Sequence, residues 1–322
     1  MNTNGLVLQL ARAACRRDPW GTTNAVRALV EHEEKKKSGG IAEQLRALLP
    51  HPGKDPQNQM TALKHLDEVT PQVKLDDLQL HDEVRETVAE LIIEQHRAAV
   101  LAEAGLRPRN RILLTGPPGN GKTSVAEGIA SALGRRFYVV SYDTLIGSHL
   151  GETGSRLRQV ADYIGSHECV ALFDEFEAVG KERDDGDEIG EMKRVVASLL
   201  VHLERMPAST VVVAATNHPG MLDRATWRRF QIRLELEAPN KGNLVAYLSR
   251  NRNSPHLWRN SPTIAEVLSG ASYAETAEFC NDIQRRLVLY PEQDPTEVVK
   301  QALDRWTTGR TTRKAVVPIT VA

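Results

Sequence analysis

A short apolar run, Arg111–Thr115, is followed at once by Gly116-Pro117-Pro118-Gly119-Asn120-Gly121-Lys122-Thr123. This octapeptide fits the pattern GxxxxGK[ST], and a helical pattern continues over Ser124–Leu133. From average residue frequencies, a chance match in a chain of 322 residues is on the order of one in a hundred. The succession of strand, glycine-rich loop and helix therefore predicts a parallel α/β sheet that carries a phosphate-binding loop.

The residues of this phosphate loop, Gly116–Thr123, suit the binding of ATP with Mg²⁺. Its glycines let the backbone curl so that N–H groups face the phosphates, and the N-terminus of the next helix adds partial positive charge. Lys122 is predicted to reach the β and γ phosphates, and the Thr123 hydroxyl to ligate Mg²⁺. The predicted nucleotide contacts in this segment are Gly116, Pro117, Pro118, Gly119, Asn120, Gly121, Lys122, Thr123 and Ser124.

Three further apolar runs have the composition of buried strands: Phe137–Ser141, Cys169–Phe173 and Thr210–Ala215. Their unbroken apolar character is typical of parallel strands covered by helices on both faces. After Pro239 only helical patterns occur, up to Trp306. We therefore predict the α/β class, with a sheet between helices, a helical C-terminal lid and a small helical N-terminal module.

Changes of pattern divide the chain into five predicted segments. Val26, Leu29 and Val30 have helical spacing in the first part, and His51–Met60 has the proline and glycine content of a linker. The segments are a helical module at 1–50, a linker at 51–74, the large nucleotide-binding α/β domain at 75–238, the lid at 239–306 and a tail at 307–322.

Two carboxylates, Asp174 and Glu175, follow the strand Val170–Phe173. The carboxyl ends of parallel strands meet at one edge of a sheet, so both side chains are predicted beside the phosphate loop. Asp174 suits the magnesium side and Glu175 suits a base that polarises the attacking water. An acidic pair after a strand is by itself more often a solvated strand end. The preceding phosphate loop favours the functional interpretation.

An amide and two guanidinium groups complete the predicted catalytic set. Asn217 follows the strand Val211–Ala215 and is placed to orient the lytic water, although Thr-Asn-His-Pro in isolation is a turn. Arg228 and Arg229 begin eleven residues later. A guanidinium fork stabilises the transition state of phosphoryl transfer, whereas a basic pair alone is more often a surface feature.

Taken in their order and spacing, these motifs resemble the AAA branch of the AAA+ ATPases, over about Leu75–Trp306. The resemblance rests on GPPGNGKT, LFDE, ATNHP, LDRA and RRF. It implies ATP hydrolysis that drives the remodelling or unfolding of a protein substrate by a homo-oligomeric ring, expected to be a hexamer. In that family Asn217 corresponds to sensor 1, and Arg228 and Arg229 to arginine fingers that serve the nucleotide of the neighbouring subunit.

The same resemblance implies further contacts. Leu78 falls where the family's backbone surrounds adenine, and Ala274 lies in a lid motif that usually reads Gly-x-Ser-Gly-Ala-Asp. Here Tyr273 replaces the second glycine. His149, Leu150 and Gly151 align with the pore loop that grips substrate, with His149 at the usual aromatic position, although an isolated histidine is more often a surface residue.

Composition limits the partners. The formal net charge is −1, which argues against general attraction to nucleic acid or membranes. The three cysteines are far apart and lack zinc-ligand spacing, which predicts a reduced, cytoplasmic setting. No apolar run reaches the roughly 18 residues needed to span a membrane. Small bacterial proteins of this layout also resemble ATPases encoded beside a subtilisin-like serine protease in phage-defence pairs. That likeness adds such a protease to the candidate partners.

Three other functions stay open at this stage. A DNA-associated ATPase, resembling helicase loaders or transposition regulators, also combines a basic helical N-terminal module with a phosphate loop, and its binding would fall steeply with salt. A nucleotide switch with little turnover is disfavoured by Glu175 and Asn217. A small-molecule kinase needs an acceptor pocket, for which no motif is found.

Overall fold

The computed structural model describes residues 26, 29, 30, 62–141, 145, 150–176, 199–250 and 254–315. The chain divides into two compact units. One is formed by Met1–Thr70, Arg136–Ala171 and Glu182–Val212, and the other by Pro71–Arg135, Leu172–Lys181 and Val213–Ala322. Of the predicted N-terminal module, Val26, Leu29 and Val30 are helical and buried, and the remainder lies outside the described residues.

Six strands form one sheet in the order β1-β3-β4-β5-β2-β6. They are β1 (Leu66–Val69), β2 (Arg111–Thr115), β3 (Arg136–Val140), β4 (Cys169–Phe173), β5 (Val211–Thr216) and β6 (Ile232–Glu235). β2 pairs in parallel with β6, with Ile112 opposite Ile232, whereas β1 pairs antiparallel with β3, with Leu66 opposite Val140. The predicted parallel α/β sheet is confirmed, with an antiparallel strand at one edge.

The burial of each strand explains whether its composition allowed it to be predicted from the sequence. Every residue of β4 and β5 is buried, and the two strands are apolar except for Thr216 at the end of β5. Their predicted positions agree with the structure to within one residue. β6 alternates buried Ile232 and Leu234 with exposed Arg233 and Glu235. In β1 only Leu66 is buried, and this strand lies in the range predicted as a linker. Edge strands carry too few apolar residues to be recognised from composition alone.

In the described part of the chain, five helices and two 3-10 turns lie between β1 and β6. Their bounds are α1 (Asp82–His96), α2 (Ala98–Glu103), α3 (Lys122–Leu133), α4 (Leu150–Gly165) and α5 (Arg224–Arg229), with 3-10 turns at Leu75–Asp77 and Pro219–Met221. α1 buries Val84, Val88 and Leu91 along one face, as their spacing predicts. α3 starts at Lys122, immediately after Gly121 in the left-handed conformation.

The C-terminal part of the described chain is helical, in the range proposed as the lid. Its helices are α6 (Lys241–Arg250), α7 (Pro255–Arg259), α8 (Ser261–Val267), α9 (Tyr273–Leu289) and α10 (Pro295–Ala315). They share an apolar core that includes Leu244, Leu257, Ile264 and Phe279. A capping box opens α9: the Ser272 hydroxyl accepts from the backbone N–H of Glu275, and the Glu275 carboxylate accepts from that of Ser272. None of the helices in the described ranges is both long and apolar enough to cross a membrane.

An ion pair between Glu94 of α1 and Arg109 connects α1 to the segment just before β2. The Arg109 Nε donates to Glu94 Oε1 at 2.8 Å, and the Arg109 backbone N–H donates to Glu94 Oε2 at 2.8 Å. Burial alone would raise the pKa of Glu94, but the two hydrogen bonds and the charge of Arg109 together lower that pKa below its ordinary value. The pair therefore stabilises the folded state as long as Glu94 is ionised.

Replacing Glu94 by glutamine is expected to reduce the free energy of unfolding by about 1–2 kcal/mol near pH 7, because a charge-assisted pair of hydrogen bonds is lost. A lowered folded-state pKa gives stability that is complete above the unfolded-state pKa of about 4.3 and is lost as the pH falls through the folded-state value. Urea unfolding should therefore show a wild-type advantage at pH 6 to 7 that shrinks below about pH 4.

The exposed pair of Arg285 with Glu278, at 3.0 Å, supplies the matched control. Glu278→Gln should leave stability nearly unchanged, because solvent screens exposed pairs. A loss in Glu94→Gln that is the same at every pH would contradict the assigned role of the carboxylate charge.

Candidate functional site

The phosphate loop curls between β2 and α3 through glycines with positive φ. The angles are +134° at Gly116, +77° at Gly119 and +88° at Gly121. A side chain at Gly116 would place its Cβ 2.2 Å from the carbonyl oxygen of Leu236, the residue after β6. The Leu236 N–H in turn donates to the Thr115 oxygen at 2.8 Å. The first glycine is therefore required by the close approach of the chain after β6 as well as by the turn.

The charged group of the loop is held inside it. The Lys122 ammonium is on a nearly buried side chain and donates to the carbonyl oxygens of Gly116 at 2.8 Å and Pro117 at 2.9 Å. A cation beside the N-terminus of α3 gives this end of the site a strong preference for anions.

Buried polar atoms test whether the loop fits a nucleotide. Asn120 is 5% exposed, and neither oxygen nor nitrogen of its amide has a hydrogen-bond partner among the described residues. Buried polar groups are almost always satisfied, so an orphaned amide here indicates a polar ligand. Asn120 lines a cavity of about 470 Å³, a size that accommodates a nucleotide. The loop therefore fits the phosphates of ATP.

The acidic pair lies against the loop. Thr123 Oγ1 donates to Asp174 Oδ2 at 2.8 Å, and Asp174 Oδ1 accepts from the Glu175 backbone N–H at 2.9 Å. One hydroxyl and one carboxylate are suitable ligands for Mg²⁺, which keeps several waters and takes phosphate oxygens as its other ligands. Thr123 and Asp174 would hold the ion, and the residues present fit it.

Glu175 has an unusual backbone conformation. Its φ is +48°, and it is the one residue other than glycine with positive φ in the described part of the chain. Such a conformation costs of order 1 kcal/mol or more and tends to occur at functional sites. Asn217, directly after β5, lines the same cavity as Glu175. The structure thus brings together the predicted phosphate, metal, base and amide residues.

The far side of the cavity is formed by residues from three parts of the chain. Leu78 and Ala274, both predicted, line it together with Asp77, Tyr247 and Ala277, which were not predicted. The Ala274 backbone N–H donates to the Gly119 carbonyl at 3.0 Å, which joins the start of α9 to the phosphate loop. Tyr247 lies one helical turn after Leu244, so its spacing resembles that of a core residue and gives no sign of a site.

Arg228 and Arg229 are absent from the lining of this cavity. They end α5, whose N-cap Asp223 accepts from the Thr226 N–H at 2.6 Å. Arg228 is exposed, and the Arg229 carbonyl accepts from Arg111 Nε at 2.9 Å, which fixes the end of the helix. The two arginines thus end an anchored helix, and neither lines the cavity that the acidic pair lines.

Of the predicted pore loop, Leu150 and Gly151 are the first residues of α4. His149 lies outside the described residues.

Comparison with known proteins decides the family. Residues 112–238 match the family model "ATPase family associated with various cellular activities (AAA)". The AAA family ATPase y4kL of Sinorhizobium fredii is 32% identical over 273 residues, which cover 81% of this chain and 82% of the relative. The chain belongs to the AAA family of ATPases. As an AAA ATPase it binds ATP, typically with Mg²⁺, and hydrolyses it.

Two larger proteins are similar to parts of this chain. The ATP-dependent zinc metalloprotease FtsH 3 of Symbiobacterium thermophilum is 29% identical. The aligned part covers 76% of this chain and 41% of the relative. A proteasome regulatory subunit homologue of Methanocaldococcus jannaschii is 35% identical over 41% of this chain and 36% of its own length. The chain thus covers less than half of either of these two relatives.

Proposed function

We propose that this AAA ATPase works as a homo-oligomeric ring that uses ATP hydrolysis to remodel or unfold a protein substrate. The observation that carries the proposal is the division of the catalytic set. Glu175 and Asn217 share the cavity with the phosphate loop, whereas Arg228 and Arg229 do not line it. Among the described residues of one copy, no arginine lines the cavity, and a second copy then supplies the arginine for the transition state at their interface.

Within one copy, each residue has a separate task. On nucleotide binding, Lys122 would exchange its hydrogen bonds with the loop carbonyls for bonds to phosphate oxygens, and Thr123 with Asp174 would hold Mg²⁺. Bound Mg²⁺ supplies neutralisation of the phosphate charge. The Asn217 amide orients the attacking water, and the Glu175 carboxylate accepts its proton. The water oxygen bonds to the γ-phosphorus while the bond to the bridging oxygen breaks, so that ADP and phosphate leave. The φ of +48° at Glu175 holds this carboxylate at the end of β4 where the cavity begins.

Support for a protein substrate comes from the relatives. One is an ATP-dependent protease and another a regulatory subunit homologue of the proteasome, so two similar ATPase regions belong to proteins whose names refer to protein degradation. In this chain, His149, Leu150 and Gly151 are the residues proposed to contact substrate, and residues 1–50 the module that selects it. A partner protease and a cytoplasmic setting are further parts of the proposal.

Mixing two inactive variants tests the shared site. Glu175→Gln keeps the arginines and lacks the base, whereas Arg229→Ala keeps the base and lacks one arginine. Each should hydrolyse little ATP alone. In an equal mixture, roughly a quarter of the interfaces would combine an intact base with an intact arginine of the neighbour, so activity should reappear. The steady-state ATPase rate is measured before and after mixing, and also against dilution.

Arg224→Ala is the matched control, since Arg224 is exposed and begins the same helix α5. It should hydrolyse ATP like the wild type. The shared-site proposal fails if the mixture stays inactive although both variants assemble, or if wild-type turnover per copy persists at dilutions where only monomer is present. Stimulation by DNA that vanishes with added salt would support the DNA-associated alternative instead.

A further inference from the structure

The lid is tied to the segment that precedes α1. Arg250, the last residue of α6, donates from Nη1 to the Asp76 carbonyl at 2.7 Å. With its amide oriented so that the oxygen faces the guanidinium, Gln79 accepts from Arg250 Nε at 2.7 Å. Tyr273 Oη donates to the Gln79 carbonyl at 3.3 Å. Two lid helices, α6 and α9, therefore bind the same four-residue stretch, Asp76–Gln79.

Tyr273 is suited to remain a hydrogen-bond donor. Its ring is half-buried and packs against the ring of Tyr247, with centroids 5.4 Å apart. Burial, followed by the neighbouring Tyr247, raises the pKa of the Tyr273 phenol above its ordinary value. The hydroxyl thus keeps its proton throughout the neutral range.

The tie closes the cavity on one side. Gln79 and Tyr273 both line it, and the next residue, Ala274, donates its N–H to Gly119 in the phosphate loop. The cavity has one wall at the phosphate loop and another at the segment that contains Leu78 and Gln79. The start of α9 is hydrogen-bonded to both walls, through Ala274 to the first and through Tyr273 to the second. To open a path between these walls, the protein must first break the bonds made by Tyr273 and Arg250.

We propose that Tyr273 is a positioning residue that sets how long nucleotide stays bound, because its hydroxyl holds the lid to the Gln79 carbonyl. Arg250 acts with it on the same segment. The inference rests on the nucleotide site of the proposed function and is independent of the ring and of the protein substrate. Tyr273, which stands where the usual lid motif has a glycine, thus has a function that a glycine could not perform.

The test is the release rate of a fluorescent ADP analogue, chased with excess ATP in a stopped-flow instrument. Tyr273→Phe removes only the hydroxyl and keeps the ring. Loss of one hydrogen bond that holds the cavity closed should make release roughly three- to tenfold faster. The thermal unfolding midpoint should stay close to that of the wild type, because the packing with Tyr247 is preserved.

Tyr290→Phe is the matched control at the other end of α9. Tyr290 is 48% exposed, and its hydroxyl forms no hydrogen bond within the described ranges, so release should be unchanged. Arg250→Gln should also accelerate release. Because both residues hold one segment, the double variant should be faster by less than the product of the two single effects.

Wild-type release rates in Tyr273→Phe would overturn the inference, and so would equal acceleration in Tyr290→Phe. A fall in unfolding midpoint without faster release would assign Tyr273 a purely structural role. Failure of the wild-type protein to bind the analogue at all would instead refute the nucleotide site itself, so the two failures are distinguishable.

Discussion

Glu175→Gln is expected to slow ATP hydrolysis by between about one hundredfold and ten thousandfold while ATP binding is retained. The amide keeps the size of the side chain but cannot accept the proton of the attacking water. The groups proposed to bind the nucleotide, including Lys122 and Thr123, are untouched by the change. The measurements are the steady-state ATPase rate and the affinity for a fluorescent ATP analogue.

The unfolding midpoint separates chemistry from stability in this variant. A glutamine at position 175 must adopt the same φ of +48° as Glu175, so the backbone strain is unchanged. The unfolding midpoint should therefore equal that of the wild type. Glu168→Gln, an exposed carboxylate just before β4, is the control and should hydrolyse ATP normally. Full turnover by Glu175→Gln would remove the assignment of Glu175 as the base.

Gly116→Ala is expected to destabilise the fold by more than about 3 kcal/mol. The new Cβ would lie 2.2 Å from the Leu236 carbonyl oxygen, and that atom belongs to backbone that is hydrogen-bonded to Thr115. The φ of +134° adds strain for any residue other than glycine. Urea unfolding followed by circular dichroism gives the loss, and nucleotide binding should disappear with it.

Gly134→Ala isolates the contribution of backbone conformation. Gly134 ends α3 with φ +62°, and a Cβ there meets nothing within 4 Å. Its replacement should cost only about 1 kcal/mol, the usual cost of a left-handed alanine. Equal losses in the two variants would show that the contact with Leu236 is unimportant. If Gly116→Ala is too unstable to purify in soluble form, a soluble Gly134→Ala under the same conditions supports the expected large destabilisation, and an insoluble Gly134→Ala contradicts it.

Much of the site was predictable because its signals are local. The glycines and Lys122 of the phosphate loop are read directly from eight consecutive residues, and the acidic pair from its position after an apolar strand. β4 and β5 are buried along their whole length, so their composition identified them. The half-exposed edge strands β1 and β6 gave no such signal.

Other features depend on residues that are distant in the chain. Thr123 and Asp174 are 51 positions apart, and Tyr273 is 194 positions from Gln79. No periodicity in the sequence reports such pairings. Tyr247 resembles a core residue by its spacing, and only the packing of α6 against α9 makes it a wall of the cavity.

The amino-acid sequence alone therefore determined which chemical groups this AAA ATPase carries, and in what order: a phosphate loop, two carboxylates, an amide and two arginines. These signals are local, because a glycine-rich turn and an apolar run are each read from consecutive residues. Tertiary structure decided which of those groups meet. It gathered all but the arginines around one cavity, set Glu175 in a strained conformation, and tied the lid to Gln79. Such contacts arise only when elements distant in the chain pack together, which is why local sequence patterns do not reveal them.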